Sequence, residues 1–135
     1  MFSTMQMATG GLRAQRTRMD VIAGNVANIH TTRNAAGELS PYRRRVAVLQ
    51  AGDAGDPTKG GVHVSGISLD QSPFNQRFDP GNPDADPTTG IVQMPNVDLA
   101  VEQVNMLEAS RAYEANVTLM QTSKAMFNSA LRLLA

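Results

Sequence analysis

The chain has 135 residues, twelve Lys and Arg against twelve Asp and Glu, and neither cysteine nor tryptophan. This length suits one domain, the zero net charge argues against a general nucleic-acid binder, and the lack of cysteine excludes disulfides and thiolate chemistry. Only two histidines are available for a metal or relay site, no apolar run is long enough to span a membrane, and no cleavable secretory signal is visible.

The first 29 residues carry an apolar repeat that predicts an N-terminal helix over about 4–27. Apolar side chains recur every seven residues in one column, and a second column follows three residues later. A seven-residue period keeps one stripe of a helix facing a partner helix, as in a coiled coil. The predicted seam of this helix contains Met5, Leu12, Met19, Ile22 and Val26.

The middle of the chain, residues 30–95, loses the helical period and gathers the helix-breaking residues. All seven prolines and eight of the eleven glycines lie between Gly37 and Pro95. After an exposed loop, short apolar or alternating runs predict four strands, at 42–50, 61–69, 75–78 and 90–94. We expect these strands to form one small sheet or partial barrel between two helices.

Residues 96–135 contain neither glycine nor proline, which predicts one long helix. This helix approaches about 60 Å in length, and Asn96 or Asp98 can cap its start. Its apolar seam is longer than the 29 N-terminal residues can cover, so we expect other chains to cover the rest. The seam recurs every seven residues, at Leu99, Met106, Tyr113, Met120, Phe127 and Leu134.

Together these segments predict an α+β fold in which two terminal helices pair as a coiled-coil-like layer. The predicted units are an N-terminal axial helix (1–29), a loop with a small β insert (30–95) and a C-terminal axial helix (96–135). From the pattern alone, the two apolar stripes fit either the core of a helical domain or a surface for self-assembly.

The chain offers no residue pattern for catalysis, cofactor binding or metal binding. Asn82, Asp84 and Asp86 have the spacing that opens a calcium loop, but Pro87 and Gln93 replace the glycine and glutamate that such a loop needs. No nucleophile elbow, zinc-binding helix or dinucleotide fingerprint occurs in the sequence. We therefore predict that the chain is not an enzyme and that 79–86 is a turn.

Basic residues gather in the first third of the chain, at Arg13, Arg16, Arg18 and 43–45. On a strand, Arg43 and Arg45 point to one side and Arg44 to the other, and no aromatic stacking platform accompanies them. This pattern favours a solvated strand or salt bridges between proteins. The alternative function is a soluble basic-patch module that binds RNA or anionic lipid.

The zero net charge is a sum of two opposite halves. Residues 1–50 hold seven arginines and two acidic residues, whereas residues 51–135 hold five basic and ten acidic residues. We expect a basic front and an acidic rear to meet each other or neighbouring subunits.

Three motifs resemble those of a known family across nearly the whole chain. Residues 23–32 (AGNVANIHTT) resemble the N-terminal signature of bacterial flagellar rod and hook proteins, and residues 95–116 resemble their C-terminal signature. Residues 80–92 are similar to a segment of the proximal rod subtype. The polar residues at motif positions are Asn25, Asn28, Thr31, Asn96, Asp98 and Asn116.

The resemblance implies a non-enzymatic structural subunit of the proximal flagellar rod, the drive shaft that crosses the periplasm and transmits torque. It implies that the terminal helices form the inner layer of a tube and that the insert faces outward. The implied partners are further copies of the chain, other rod subunits, the basal-body rings and the export apparatus, without nucleic acid, cofactor or membrane span. Export would use the flagellar type III system without a cleaved signal.

Overall fold

The computed structural model describes residues 2–52, 55–56 and 60–134. These residues form two helices, with four short strands between them in the sequence. This arrangement confirms the predicted α+β class. The elements are α1 (Phe2–Ala27), β1 (Arg45–Ala51), β2 (Val62–Leu69), β3 (Asn75–Phe78), β4 (Ile91–Met94) and α2 (Leu99–Leu134). Among the described residues, no helix is long and apolar enough to cross a bilayer.

The two helices pack side by side in opposite directions. Asn25 near the end of α1 contacts Glu102 near the start of α2, Arg18 contacts Glu108, and Gly11 lies against Asn116. Residues earlier in α1 therefore contact residues later in α2, so the two helices are antiparallel. Since α2 has 36 residues and α1 has 26, the last turns of α2 extend past the start of α1. We call residues 126–134 the C-terminal extension.

The contact line between the helices consists of small and polar side chains. Glu102, Ala109 and Ser123 on α2 are buried, as are Ala8 and Ala14 on α1. The prediction placed the column of Leu, Met and aromatic side chains on this line, but that column lies beside it. Small side chains let the two backbones approach closely, so the larger ones are displaced to the flanks of the interface.

The four strands form two separate antiparallel pairs within the described residues, so the prediction of one small sheet or partial barrel was wrong. β1 pairs with β2 from Arg45 and Leu69 to Ala51 and Val62, with a bulge after Val48, and β3 pairs with β4. In the linker between the pairs, residues 70–74, the amide of Asp70 still donates to the carbonyl of Arg44 at 2.9 Å, but the pairing goes no further. The carbonyl groups of the linker accept hydrogen bonds from side chains instead.

β1 begins three residues later than predicted, because the backbone before it is bonded elsewhere. The amide of Tyr42 donates to the carbonyl of Thr31, and the amide of Arg44 donates to the side chain of Asn96. A strand that started at residue 42 would need these amides for its ladder. The first strand is therefore shortened by the same contacts that attach it to the helices.

Candidate functional site

A cluster of polar side chains joins the end of α1, the start of α2 and the segment before β1. Sequence elements far apart in the chain meet here, because both helices and the first strand begin or end at this point. We call the cluster the polar junction and define it as Asn25, Tyr42, Arg44, Asp70, Asn96 and Glu102.

Asn25 is the centre of the polar junction and is 1% exposed. Its Nδ2 donates to Glu102 Oε2 at 3.0 Å and to the carbonyl of Arg45 at 2.8 Å. Its Oδ1 accepts from the amide of Arg45 at 2.9 Å and from the hydroxyl of Tyr42 at 3.0 Å. An asparagine side chain has two donor hydrogens and two lone pairs, so Asn25 is fully bonded.

Glu102 is fully buried, and its carboxylate is held by two donors. Oε1 accepts from Arg44 Nε at 2.7 Å, and Oε2 accepts from Asn25. Although Glu102 lies in the first turn of α2, it is a buried hydrogen-bond partner of groups outside that helix. A buried carboxylate without such donors would be strongly destabilising.

The surroundings of the polar junction raise the pKa values of both Arg44 and Tyr42, for different reasons. Burial alone would lower the pKa of Arg44, but hydrogen bonds and opposite charges from Glu102 and Asp70 outweigh it and raise that pKa. Burial raises the pKa of the Tyr42 hydroxyl, partly offset by the positive charge of Arg45. Both shifts keep the junction in the protonation state in which its hydrogen bonds form.

The start of α2 uses the two predicted capping candidates for different purposes. Asp98 is the cap: its Oδ1 accepts from the amide of Ala100 at 2.8 Å and of Val101 at 3.3 Å. Asn96 is buried, accepts from the amide of Arg44 at 2.8 Å and donates to the carbonyl of Asp70 at 3.1 Å. Asn96 therefore connects α2 to the β insert.

The remaining motif residues lie at the end of α1 and in the middle of α2. Asn28 Nδ2 donates to the carbonyl of Gly24 at 2.8 Å, and the hydroxyl of Thr31 donates to Asn28 Oδ1 at 3.1 Å. These bonds close the last turn of α1. Asn116 donates to the carbonyl of Ala112 and faces Gly11 across the helix interface.

The predicted seam residues are only partly covered by the chain itself. Of the seam on α1, Ile22 is buried, while Met5, Leu12, Met19 and Val26 are half-buried. On α2, Met106, Tyr113 and Met120 are half-buried, whereas Leu99 is 44% and Phe127 is 39% exposed. The side chain of Leu134 lies outside the described part of the chain.

A groove of 420 Å³ follows this seam between the helices. Its floor contains Met19, Met106 and Tyr113, and its rim carries Arg16 and Asp20. The C-terminal extension adds further exposed apolar side chains: Met126 is 58%, Leu131 is 49% and Leu133 is 88% exposed. An uncovered groove with apolar floor and charged rim can receive another helix.

Much of the basic cluster is bonded inside the chain. Arg18 pairs with Glu108 at 2.9 Å, and Arg44 with Glu102. Arg43 donates to the carbonyls of residues 70 and 72 and lies 4.3 Å from the ring centre of Phe74. Three of the six arginines that suggested an RNA- or lipid-binding patch therefore connect the first third of the chain to its later part.

The aspartates with calcium-loop spacing are bonded to neighbouring groups. A hydrogen bond from Thr32 and the guanidinium of Arg33 hold the pKa of Asp84 below its usual value. Hydrogen bonds from Thr88 lower the pKa of Asp86 in the same way. In the part of the chain that the structure describes, no group of three or more His, Asp or Glu side chains is placed to hold a metal ion.

The sequence did not identify Tyr42, Arg44, Asp70 or Glu102 as members of the polar junction. Arg44 and Glu102 are 58 residues apart, so no local pattern links them. One signal was present in the sequence: Glu102 belongs to a column with Ala109 and Asn116, spaced by seven residues. A carboxylate on such a column predicts a buried polar contact.

Two regions of the chain match flagellar protein families. Residues 5–33, which contain most of α1 and its closing turn, match the family described as flagella basal body rod protein. Residues 88–133, which contain β4 and nearly all of α2, match the family described as flagellar basal body rod FlgEFG protein C-terminal. Both helices thus belong to regions that match families of flagellar basal-body rod proteins.

Curated relatives cover nearly the whole chain. The flagellar basal-body rod protein FlgC of Borreliella burgdorferi is 41% identical over 150 aligned positions, covering 99% of this chain and 97% of that protein. FlgC of Bacillus subtilis is 41% identical and FlgC of Salmonella typhimurium 38% identical, each covering 98% of this chain and 97% of the relative. The chain belongs to the FlgC family of flagellar basal-body rod proteins.

Proposed function

We propose that this chain is a structural, non-enzymatic subunit of the rod of the bacterial flagellar basal body, in its proximal part. The observation that carries the proposal is the incompletely covered seam in a chain of this family. A folded monomer rarely leaves so many large apolar side chains exposed along one element unless a partner covers them. Full burial of such a side chain is worth roughly 1.5–3 kcal/mol, so covering the exposed half of each would contribute about 1 kcal/mol to assembly.

The groove between α1 and α2 and the C-terminal extension are the surfaces through which neighbouring subunits would pack. These neighbours are further copies of this chain and other rod subunits, and the basal-body rings and export apparatus are further proposed partners. A contact between two different surfaces of identical subunits builds a helical array when it repeats. Torque would pass along the array through these buried helix contacts.

The proposal includes the route by which the chain reaches the rod. Rod subunits lie outside the cytoplasmic membrane, and we propose that this one is exported by the flagellar type III system without removal of a signal segment. The small apolar core supports this, because a chain with few large buried side chains is easily unfolded for passage. The buried apolar residues in the described part of the chain are Ala8, Ala14, Ile22, Val92, Val97 and Ala109.

The seam is tested by placing a charge in it. Met106→Asp and Tyr113→Asp are expected to abolish rod assembly and swimming, because each puts a carboxylate on the floor of the groove where a neighbour would bury it. The matched control is Gln103→Asp, which adds the same charge at an exposed position of α2 outside the groove. Motility in soft agar and electron microscopy of isolated basal bodies are the measurements.

The purified Met106→Asp and Tyr113→Asp chains should keep the amide signals of both hairpins in NMR spectra, which shows that the insert still folds. Normal swimming with either change would contradict the proposed role of the seam. Loss of swimming with Gln103→Asp as well would show that any added charge on α2 is harmful and that the groove has no special role.

A further inference from the structure

The interface between the helices repeats in a way that leaves its register undetermined by apolar packing. The contact line of α2 recurs every seven residues, at Glu102, Ala109, Asn116, Ser123 and Ala130. The seam columns of both helices follow the same seven-residue period. If α1 moved by seven residues, about 10 Å, each seam side chain would meet a neighbour of the same kind.

Apolar burial between the helices would permit such a movement toward the end of α2. In the observed register, Leu131 in the C-terminal extension keeps 49% of its surface exposed. Moving α1 seven residues in that direction would bring its first turns over Leu131 and Ala130. Contacts of α1 with the β1–β2 hairpin, where Met7 lies against Gly60 and Gly61, oppose this movement, and the polar groups between the helices must supply the rest.

The polar junction is the feature that does not repeat. Glu102 is the one ionisable residue of the contact line, and its two bonds come from Asn25 and Arg44. After the movement, Asn25 would face Ala109, which offers no acceptor on its side chain. Glu102 would then be left beyond the end of α1 without the amide that now holds it.

A second contact opposes the movement at the middle of the helices. A Cβ atom at Gly11 would lie 2.9 Å from Asn116 Nδ2, so any side chain there would force Asn116 out of its present position. In the shifted register, the position opposite Asn116 would be occupied by Arg18. The long side chain of Arg18 cannot take the place of a glycine at this separation.

We propose that the contact of Asn25 and Arg44 with Glu102 selects the register of the two helices, with Glu102 as the positioning residue. A buried polar group at a single repeat position is known to select register in coiled coils, because every alternative register leaves it without partners. The register is a property of the folded chain and holds whether or not the seam is an assembly surface.

The test measures the distance between spin labels on the two helices of the full chain. Ala23→Cys and Gln121→Cys are both exposed positions, and the chain has no native cysteine, so labelling is specific. With Glu102 and Arg44 intact, double electron–electron resonance should show one distance. Glu102→Leu, and the double change Glu102→Met with Arg44→Met, should add a second population that is shorter by about 10 Å.

Two control variants separate register from stability. Glu102→Gln keeps an oxygen that accepts from Asn25, so the original distance should remain dominant. Glu114→Met removes a carboxylate from an exposed position of α2 and should leave one distance. Urea unfolding of each labelled variant shows whether it is folded under the conditions of the distance measurement.

Three results would overturn the proposal. The first is a single unchanged distance in both the Leu variant and the double Met variant, because the register would then not depend on Glu102. The second is a broad distribution in the unaltered labelled chain, since the junction would then select no register. The third is loss of helix in both variants, which would show that the junction holds the helices together without choosing among registers.

Discussion

The two ends of the helical layer are built on opposite principles. At the junction end, buried polar groups such as Asn25 and Glu102 are fully bonded to partners within the chain. At the other end, the C-terminal extension exposes large apolar side chains such as Leu131 and Leu133. The chain thus holds its own shape at one end by buried polar bonds and leaves apolar surface exposed at the other, where we propose that neighbouring subunits pack.

The composition of the core follows the same contrast. The largest fully buried side chains in the described residues include Glu102 and Asn25 beside Val92 and Pro95. Apolar burial supplies the largest stabilisation in most domains, so a core of this kind gives the isolated chain little of it. The stability of the free chain should therefore depend strongly on the junction and weakly on the extension.

The largest effect is expected from cutting the junction. Glu102→Ala should lower the free energy of unfolding by about 3–5 kcal/mol. It removes the carboxylate to which Arg44 Nε and the buried Asn25 Nδ2 donate, and leaves both donors without that acceptor. The comparison change is Leu133→Ala in the C-terminal extension, which should alter the free energy of unfolding by less than about 0.5 kcal/mol. Urea unfolding of the purified chain, followed by circular dichroism at 222 nm, measures both. If both substitutions lowered the free energy of unfolding equally, the polar junction would not stabilise the free chain more than the C-terminal extension does.

A smaller effect is expected from two glycines of α1 with different surroundings. A Cβ atom added at Gly24 would have no neighbouring atom within 4 Å, so Gly24→Ala should raise the free energy of unfolding by about 0.5–1 kcal/mol through helix propensity. Gly11→Ala should lose that gain or become destabilising, because its Cβ would lie 2.9 Å from Asn116 Nδ2. Thermal unfolding of the two variants and the unaltered chain measures both changes. An equal gain in stability from both would mean that the helices are not closely packed at Gly11.

The smallest effect concerns acid. Hydrogen bonds from the amide and hydroxyl of Ser72, and the guanidinium of Arg44, lower the pKa of Asp70 from 3.8. A carboxylate whose pKa is lowered by folding stabilises the fold above pH 3.8, and this stabilisation is lost as the pH falls through the lowered value. For a partly exposed pair it should amount to a few tenths of a kcal/mol. Urea midpoints at pH 6, 4 and 3 should fall more steeply for the unaltered chain than for Asp70→Asn. Parallel curves would contradict this contribution.

The elements of the fold could be predicted from the sequence because each depends on a local pattern. The seven-residue repeats and the absence of glycine and proline after residue 95 predicted both helices, and alternation with turn residues predicted the four strands. The sequence also predicted that either Asn96 or Asp98 caps the start of α2, and Asp98 is the residue that does so. Each of these features depends on residues that are close together in the chain, so it can be predicted from the sequence.

The candidate site could be predicted only in part because its geometry depends on long-range packing. Motif resemblance identified Asn25 and Asn96, but the partners Arg44 and Glu102 are brought together by the closing of the whole helical layer. The prediction of a single sheet was wrong because side chains of Arg43 and Asn96 bind the carbonyls of the linker that would have joined the two hairpins. Competition between a side chain and a strand for one carbonyl is invisible in the local pattern.

That linker also determines where a mechanical load would pass through the subunit. The carbonyl of Asp70 accepts from Arg43, just before β1, and from Asn96, just before α2. The first hairpin and the start of α2 therefore meet at one carbonyl group, next to the buried bonds of Asn25 and Glu102. In the rod subunit proposed above, a twist applied to this hairpin would reach α2 through that carbonyl group.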